Sequence, residues 1–231
     1  VLFRSILSVL SQRDIDFEYI IIDGMSDDNT IEIIATIVKD NPKVIVRSER
    51  DSGISDAMNK GAAVASGKLL FFLHAGDCLY GDNKLSQVYD SYQKFKWSWA
   101  SGVLLLSRNG RILSNVSYKP GKIAWLKYKN CIPHQSTFIT SELFKKADGF
   151  NVLLKQAMDY DLWMRLKYLY CIDNFNLNFE VAIFDVDGVS SKIIPLVLGN
   201  IKVQNLIRQK IKSITLFDTC ILIFGILSYW R

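Results

Sequence analysis

The chain has 231 residues and a mass of 26.4 kDa, enough for one large α/β domain with a sizeable core. Hydrophobic residues at 49% and charged residues at 22% exclude a disordered or collagen-like polypeptide. The formal charge of +5 is too mild for the dense basic stripe of a nucleic-acid binder.

The chain opens Val1-Leu2-Phe3-Arg4, with no pattern of a secretory leader. Ser5 to Leu10 reads as helix, and the first clear strand, Tyr19 to Ile22, follows it. A helix that opens an α/β chain usually follows a strand, so a preceding strand is expected to be missing. Asp23-Gly24 ends the first strand, and Asp27 to Thr30 offer caps for a helix on which Ile31, Ile34, Ala35 and Val38 recur. Val44 to Val46 is a second strand. Ile54, Ala57, Met58, Ala62 and Ala65 mark a helix that Gly67 stops. Leu69 to Leu73 is a third, uniformly apolar strand. Such strands are buried on both faces, which predicts a mixed, mostly parallel sheet flanked by helices.

Further along, Lys84 to Lys96 reads as helix, Gly102 to Leu106 and Arg111 to Val116 as strands. Ser141 to Ala147 and Asp159 to Tyr168 read as helices, Phe179 to Phe184 as a strand, and Lys192 to Lys212 mainly as helix. No repeat or low-complexity linker divides the chain, so one domain is expected over residues 1–198. Residues 199–231 then form a basic and afterwards apolar helical tail. From Gly199 onward five basic residues face one acid, net +4, against +1 in the first 198. Ile214 to Trp230 is short of a membrane span and contains Asp218, so it suits either a helix on an anionic membrane surface or one packed on the core or a partner. Four scattered cysteines (Cys78, Cys131, Cys171, Cys220) contain no C-x-x-C pair and point to a reducing, cytoplasmic setting without a disulfide framework.

Ligands of open α/β sheets bind outside the carboxyl ends of the strands, and acidic clusters fall there. Asp23-Gly24-Met25-Ser26-Asp27-Asp28 follows the first strand; it suits either a base or ribose contact, or a solvated capping loop. Glu49 to Gly61 concentrates polar groups at the next helix start, where Asp51 or Ser52 suits a cap and Asp56, Asn59 and Lys60 share one side. His74-Ala75-Gly76-Asp77 follows the third strand. A lone carboxylate there suits Mg²⁺, which takes one or two carboxylates plus substrate phosphates, while His74 reads as a packed residue. Asp159 opens a later helix, where it suits either a general base or an acid favoured by the helix dipole.

Taken in order, these segments resemble glycosyltransferase family 2, inverting enzymes of the GT-A fold, and within it the bacterial branch that assembles colanic acid, capsule and O-antigen sugars. The resemblance runs from Ser5 to about Ser191. It is carried by Ser8-Val9-Leu10-Ser11-Gln12, Glu18 to Thr30, Ser48 to Gly61, His134-Gln135-Ser136, and Asp159-Tyr160-Asp161-Leu162-Trp163-Met164-Arg165. It implies that Asp23 binds the nucleotide base. Asp51, Asp56, Asn59 and Lys60 are implied as donor-binding, and Asp77 as the holder of Mg²⁺ or Mn²⁺ on the donor diphosphate. Asp159 is implied as catalytic base with Asp161 as the neighbouring candidate, while His134, Gln135 and Arg165 would lie near donor and acceptor. Gly76 stands where many relatives carry a second acid, and His74 where Asn is common.

The implied reaction moves a sugar from a nucleotide-diphosphate donor to a hydroxyl of a surface polysaccharide or lipid-linked glycan, at the inner face of the plasma membrane. The alternative is an inactive or truncated transferase-like scaffold that binds membrane or a partner. A nucleotide-dependent oxidoreductase would need a G-x-G-x-x-G turn, which is absent.

Overall fold

A computed structural model of the chain describes residues 2–117, 120–186 and 193–210. The chain begins with α1 (Leu2–Leu10), β1 (Tyr19–Asp23), α2 (Thr30–Val38), β2 (Val44–Ser48), α3 (Ile54–Val64) and β3 (Leu69–Phe71). Here the apolar runs and helical spacings fall where the sequence predicts them. The third strand is shorter than expected, because its ladder to β7 covers only Leu69 to Phe71. Gly67 lies beyond the end of α3, and its N–H donates to the Glu18 carboxylate at 2.7 Å.

The second half comprises β4 (Cys78–Leu79), α4 (Lys84–Phe95), β5 (Trp99–Arg108), β6 (Arg111–Val116) and two 3-10 turns (Pro120–Lys127 and His134–Ser136). β7 (Thr137–Thr140), α5 (Ser141–Lys146), α6 (Met158–Tyr168), β8 (Phe175–Asp185) and α7 (Ile193–Lys210) complete it. β4 and β7 are too short, at two and four residues, to leave a periodic signal.

The sheet is mixed, but parallel pairing does not dominate among the described strands. β1 pairs with β2 and β5 with β8 in parallel, whereas β3–β7, β4–β8, β5–β6 and β5–β7 are antiparallel. β1 and β2 form a two-stranded sheet of their own; the other six run in the order β3-β7-β5-β8-β4, with β6 on the edge of β5. An apolar strand is buried on both faces in either orientation, so composition does not reveal its direction.

The main core lies between β5, β7 and helices α5, α6 and α7, where Trp99 stacks on Trp163 with ring centroids 5.1 Å apart. α6 is buried from Met158 to Leu166 apart from Asp159, with the charged pair Asp161 and Arg165 among the buried residues, so it is a core helix and not a surface one. The expected division at residue 198 falls inside α7. Val203 and Ile207 of that helix belong to the main core, and Gln204 donates to the carbonyl of Tyr128 and to the Tyr160 hydroxyl. The expected apolar tail, Ile214 to Trp230, lies outside the described residues. Among the described residues, no helix is long and apolar enough to cross a membrane.

Candidate active site

Asp23 ends β1 and is 6% exposed. Its carboxylate accepts from the Ser26 hydroxyl at 2.5 Å, the Ser26 N–H at 3.1 Å and the Ser48 hydroxyl at 2.7 Å. Burial alone would raise its pKa, but these bonds together outweigh it and hold the carboxyl below the ordinary value. The parallel register sets this up by placing Ser48 beside Asp23. Gly24 lets Asp51 close over the same loop, since a Cβ there would lie 2.6 Å from the Asp51 carboxylate. Asp23 and Asp51 therefore share one acidic recess at the strand ends.

The other expected donor-binding residues are engaged within α3 and its surroundings. Asp56 accepts from the Ser52 N–H at 2.9 Å, which with Lys60 at 3.4 Å lowers its pKa. Lys60 also donates to the carbonyl of Arg50 at 2.5 Å. Asn59 makes a two-way bond with the Phe150 backbone, its amide nitrogen donating at 2.8 Å and its oxygen accepting at 2.9 Å. This ties α3 to the loop that leads into α6.

Asp77 stands six residues beyond β3, at 4% exposure. Burial pushes its carboxyl up to about 7, against hydrogen bonds from the Asp185 backbone and the Gln135 side chain; the Asp185 charge raises it and that of Arg4 lowers it. Arg4 donates to the carbonyl of Gly76 at 3.1 Å and pairs with Asp185 at 3.2 Å. Gly76, where an acid is common in the resembled family, has φ 110°, a conformation that favours glycine, and its N–H donates to Ser5.

Among the described residues no group of three His, Cys, Asp or Glu could form an all-protein metal cage. The donor set instead suits a hard cation held by one or two carboxylates. Asp77 is a buried acid whose charge is poorly compensated, with a second carboxyl, Asp185, close enough to raise its pKa. Mg²⁺ or Mn²⁺ completed by phosphate oxygens and water fits these residues.

Gln135 links Asp77 to the opposite wall. Beside it His134 is buried with neither ring nitrogen hydrogen-bonded among the described residues, packed against Phe72, Phe150 and Trp163. The His74 ring meets it edge-on at 5.0 Å. Burial holds both imidazoles down to about 4, so both are neutral near pH 7.

The charge of Asp159 acts on His74 from the start of α6. Asp159 is half-buried and accepts from the Asn130 amide at 2.9 Å. Burial raises its pKa, opposed by that bond, by the Tyr160 N–H and by His74. Tyr160 donates to the carbonyl of Leu126 at 2.5 Å, so α6 and the segment from Leu126 to Asn130 hold one another in place.

Asp161, the neighbouring candidate for the base, points elsewhere. It is 3% exposed and paired with Arg165 at 2.9 Å, while Arg165 also donates to the carbonyls of Ala147 and Gly149. Both side chains are consumed in a buried staple between α5 and α6. Asn130, Ser48, Arg4 and Asp185 carry no sequence periodicity that marks them, and only their contacts reveal a role.

The structure thus brings Asp77, Gln135, His134, His74 and Asp159 into one connected group. Asp23 and Asp51 lie at the same strand ends, since Ile22 and His74 border a common cavity. That cavity, about 690 Å³, is apolar and runs back between β1 and β3. It adjoins the acidic rim and is not the polar site itself.

Comparisons with known proteins follow the same outline. An uncharacterised glycosyltransferase of Mycobacterium tuberculosis is 31% identical over 193 residues, covering 81% of this chain and 71% of that protein. A PGL/p-HBAD biosynthesis glycosyltransferase of the same species is 29% identical over 168 residues, covering 68% of this chain and 61% of that one. Among solved structures, S. aureus TarS 1–349 in complex with UDP-GlcNAc superposes with a TM-score of 0.68 at 18% identity, covering 96% of this chain and 66% of that one. A longer TarS chain gives 0.66 at 20% identity; 93% of this chain matches only 38% of it. That likeness shows a shared α/β fold. Residues 1–139, well over half of the sequence and including the recess at Asp23 and the rim at Asp77, match glycosyl transferase family 2, and the chain belongs to that family of glycosyltransferases.

Proposed function

We propose that this chain is an inverting, GT-A-type transferase that moves a sugar from a nucleotide-diphosphate donor to a hydroxyl of a glycan or lipid-linked acceptor, with Asp159 as general base. The observation that carries this reading is the connected group from Asp77 to Asp159. It joins a carboxylate suited to a cation-bound diphosphate to a second carboxylate of raised pKa at one strand-end rim.

Asp23 and Asp51 hold the base and ribose end of the donor. Asp56, Asn59 and Lys60 shape α3 and its loops beneath it. Asp77 is the residue that would hold Mg²⁺ or Mn²⁺, which when bound supplies positive charge to the leaving diphosphate. The Asn130 bond orients the Asp159 carboxylate. Asp159 takes the acceptor hydroxyl's proton as that oxygen bonds to the anomeric carbon. The bond from that carbon to the diphosphate breaks on the opposite face, and the nucleoside diphosphate leaves with the electron pair. One displacement inverts the centre. A carboxyl raised above its ordinary value is a better proton acceptor near neutrality than a fully solvated one. Gln135 fixes Asp77, while neutral His134 and His74 line the space between the two acids.

TarS is described in complex with UDP and with UDP-GlcNAc, which makes UDP-GlcNAc the first donor to try. The basic and then apolar composition of residues 199–231 suits work beside the anionic inner leaflet, where a lipid-linked acceptor resides. In the test, calorimetric titration of UDP-GlcNAc with Mn²⁺ is paired with release of UDP for the native protein and Asp159→Asn. Retained binding with turnover reduced about 10²- to 10⁴-fold is expected. Full turnover in Asp159→Asn refutes the assignment of the base.

A further inference from the structure

We propose that the β5–β6 hairpin and the turn around Trp125 form a contact face of the folded domain, and that its partner is the surface of an anionic phospholipid bilayer. The inference goes beyond the proposed function. It concerns the domain itself and not residues 199–231, and its test reads lipid binding and not sugar transfer.

The charge of the chain is unevenly placed. Residues 108–129 contain six Lys or Arg and no Asp or Glu, a net +6 within a chain whose total is +5. The same stretch holds large apolar side chains that the core does not take up. Ile112, Leu113 and Val116 are 49%, 57% and 38% exposed, and Trp125 is 52% exposed. All six residues of β6 are exposed. Charge alone would suit any polyanion. Exposed apolar groups set within that charge suit a surface of anionic headgroups over hydrocarbon.

Local structure makes the hairpin a rigid prong. Asn109 and Gly110 both have positive φ, 49° and 77°, as a tight two-residue turn requires. Arg108 and Arg111 face one another across the ladder at this turn. Like charges held opposite cost stability, and an anionic surface relieves that cost. Behind them the ladder shifts register: Ser107 faces Ile112 and Leu106 faces Ser114, which leaves Leu113 as an extra residue. A bulge re-aims a side chain. Here it leaves Leu113 outside the pairing, beside Ile112 and close to the arginines.

The fold places both segments around the acidic rim. β8 takes one edge of β5 from Ala100 to Ser107, so β7 and β6 share the other, β7 on Trp99–Ser101 and β6 on Leu104–Arg108. The hairpin therefore leaves the sheet at the strand ends, where Ser107 is level with Asp185. Trp125 approaches from the side of α6. Its carbonyl accepts from the N–H groups of Tyr128 and Lys129, and Asn130 next to them donates to Asp159. Lys127 lies 4.8 Å over the Tyr128 ring in the same turn.

The depth of contact follows from the backbone. Among the described residues β6 pairs only with β5, so its outer edge has no ladder and needs water. The prong therefore reaches the headgroup level and not the hydrocarbon centre. Trp favours that level, and each Lys or Arg beside an anionic leaflet gains about fivefold in affinity.

The experiment mixes the full chain with vesicles of phosphatidylcholine alone and of phosphatidylcholine with phosphatidylglycerol, read by co-sedimentation and amide hydrogen exchange. Binding to the anionic vesicles is expected, with exchange slowed in residues 109–116 and 123–129. Ile112→Ser/Leu113→Ser should weaken it about tenfold or more. Arg108→Gln/Arg111→Gln should do the same. Ile33→Ser, at an exposed apolar residue of α2, should change nothing. Circular dichroism melts confirm that each variant is folded.

Unchanged vesicle binding in both double variants overturns the proposal. So does binding with exchange slowed only in residues 199–231, which assigns the contact to the tail. Heparin that displaces the vesicles and binds Ile112→Ser/Leu113→Ser as tightly as the native protein overturns it too, since a soluble polyanion is then the partner. Absence of UDP-GlcNAc binding with vesicle binding intact would refute the proposed function and leave this inference standing.

Discussion

Asp77→Asn tests the electrostatics of the rim without touching its shape. Burial, the leading cause, pushes the Asp77 carboxyl up to about 7 in the folded protein, from the ordinary aspartate value of about 3.9. Between those two pH values the folded state binds a proton that the unfolded state has released, so stability falls as pH rises through the window. The separation of about three pKa units corresponds to about 4 kcal/mol at neutral pH, at 1.36 kcal/mol per unit. Asparagine keeps the size and the bonds from Gln135 and the Asp185 backbone but cannot ionise. In a chelator, the variant should match the native protein near pH 4 and exceed it increasingly toward pH 7.5. For a chain of this size about 4 kcal/mol corresponds to roughly 10 °C in Tm. Thermal melts at half-unit pH steps from 4.5 to 8 measure this. Added Mn²⁺ should narrow the gap by stabilising the native protein alone, most strongly at the alkaline end. Melting curves that run parallel across the range refute both the buried, uncompensated charge and the cation site built on it.

Three further outcomes follow from the same contacts. Arg165→Met should destabilise the fold by about 3–5 kcal/mol, because Asp161 is left buried without its partner, with a smaller loss in Asp161→Asn/Arg165→Met; denaturant unfolding reads it. Ser48→Ala should raise the Asp23 pKa back toward its ordinary carboxylate value, so nucleotide binding weakens at acid pH while binding at pH 8 changes little; titration across the acid range and at pH 8 decides. Asn130→Ala should raise the Asp159 pKa further and move the acidic limb of the transfer profile to higher pH. An unmoved limb would detach Asn130 from the base.

The first seventy residues show what local pattern reveals. Consecutive apolar side chains at Tyr19–Ile22 and Val44–Val46 mark strands, and helical spacing fixes α2 and α3, but β2 is half-buried to exposed along its length where burial on both faces was expected. The acids at the strand ends are visible too, but each taken singly suits a helix cap or a solvated loop as well as a ligand contact, and it was their order along the chain that pointed to a site. Strand direction was not legible: β3, β5 and β7 are apolar whichever way their neighbours run, and the antiparallel ladders through β7 emerged only with long-range pairing. The short β4 and β7 exist because partners receive them and not because of their own propensity.

The sequence reading put Asp159 first as the base and kept Asp161, two residues on along the same helix, as the neighbouring candidate. Position on that helix turned one toward His74 and Asn130 and the other into the Arg165 staple, a difference of roughly 200° about the axis. α7 behaves the same way: its composition reads as the start of a basic tail, yet Val203 and Ile207 close the main core. Local sequence determined which segments form strands and helices and where acids meet strand ends, since both follow from spacing along the chain. Tertiary packing alone decided which acid faces the rim and how the strands run, since these depend on neighbours distant in sequence.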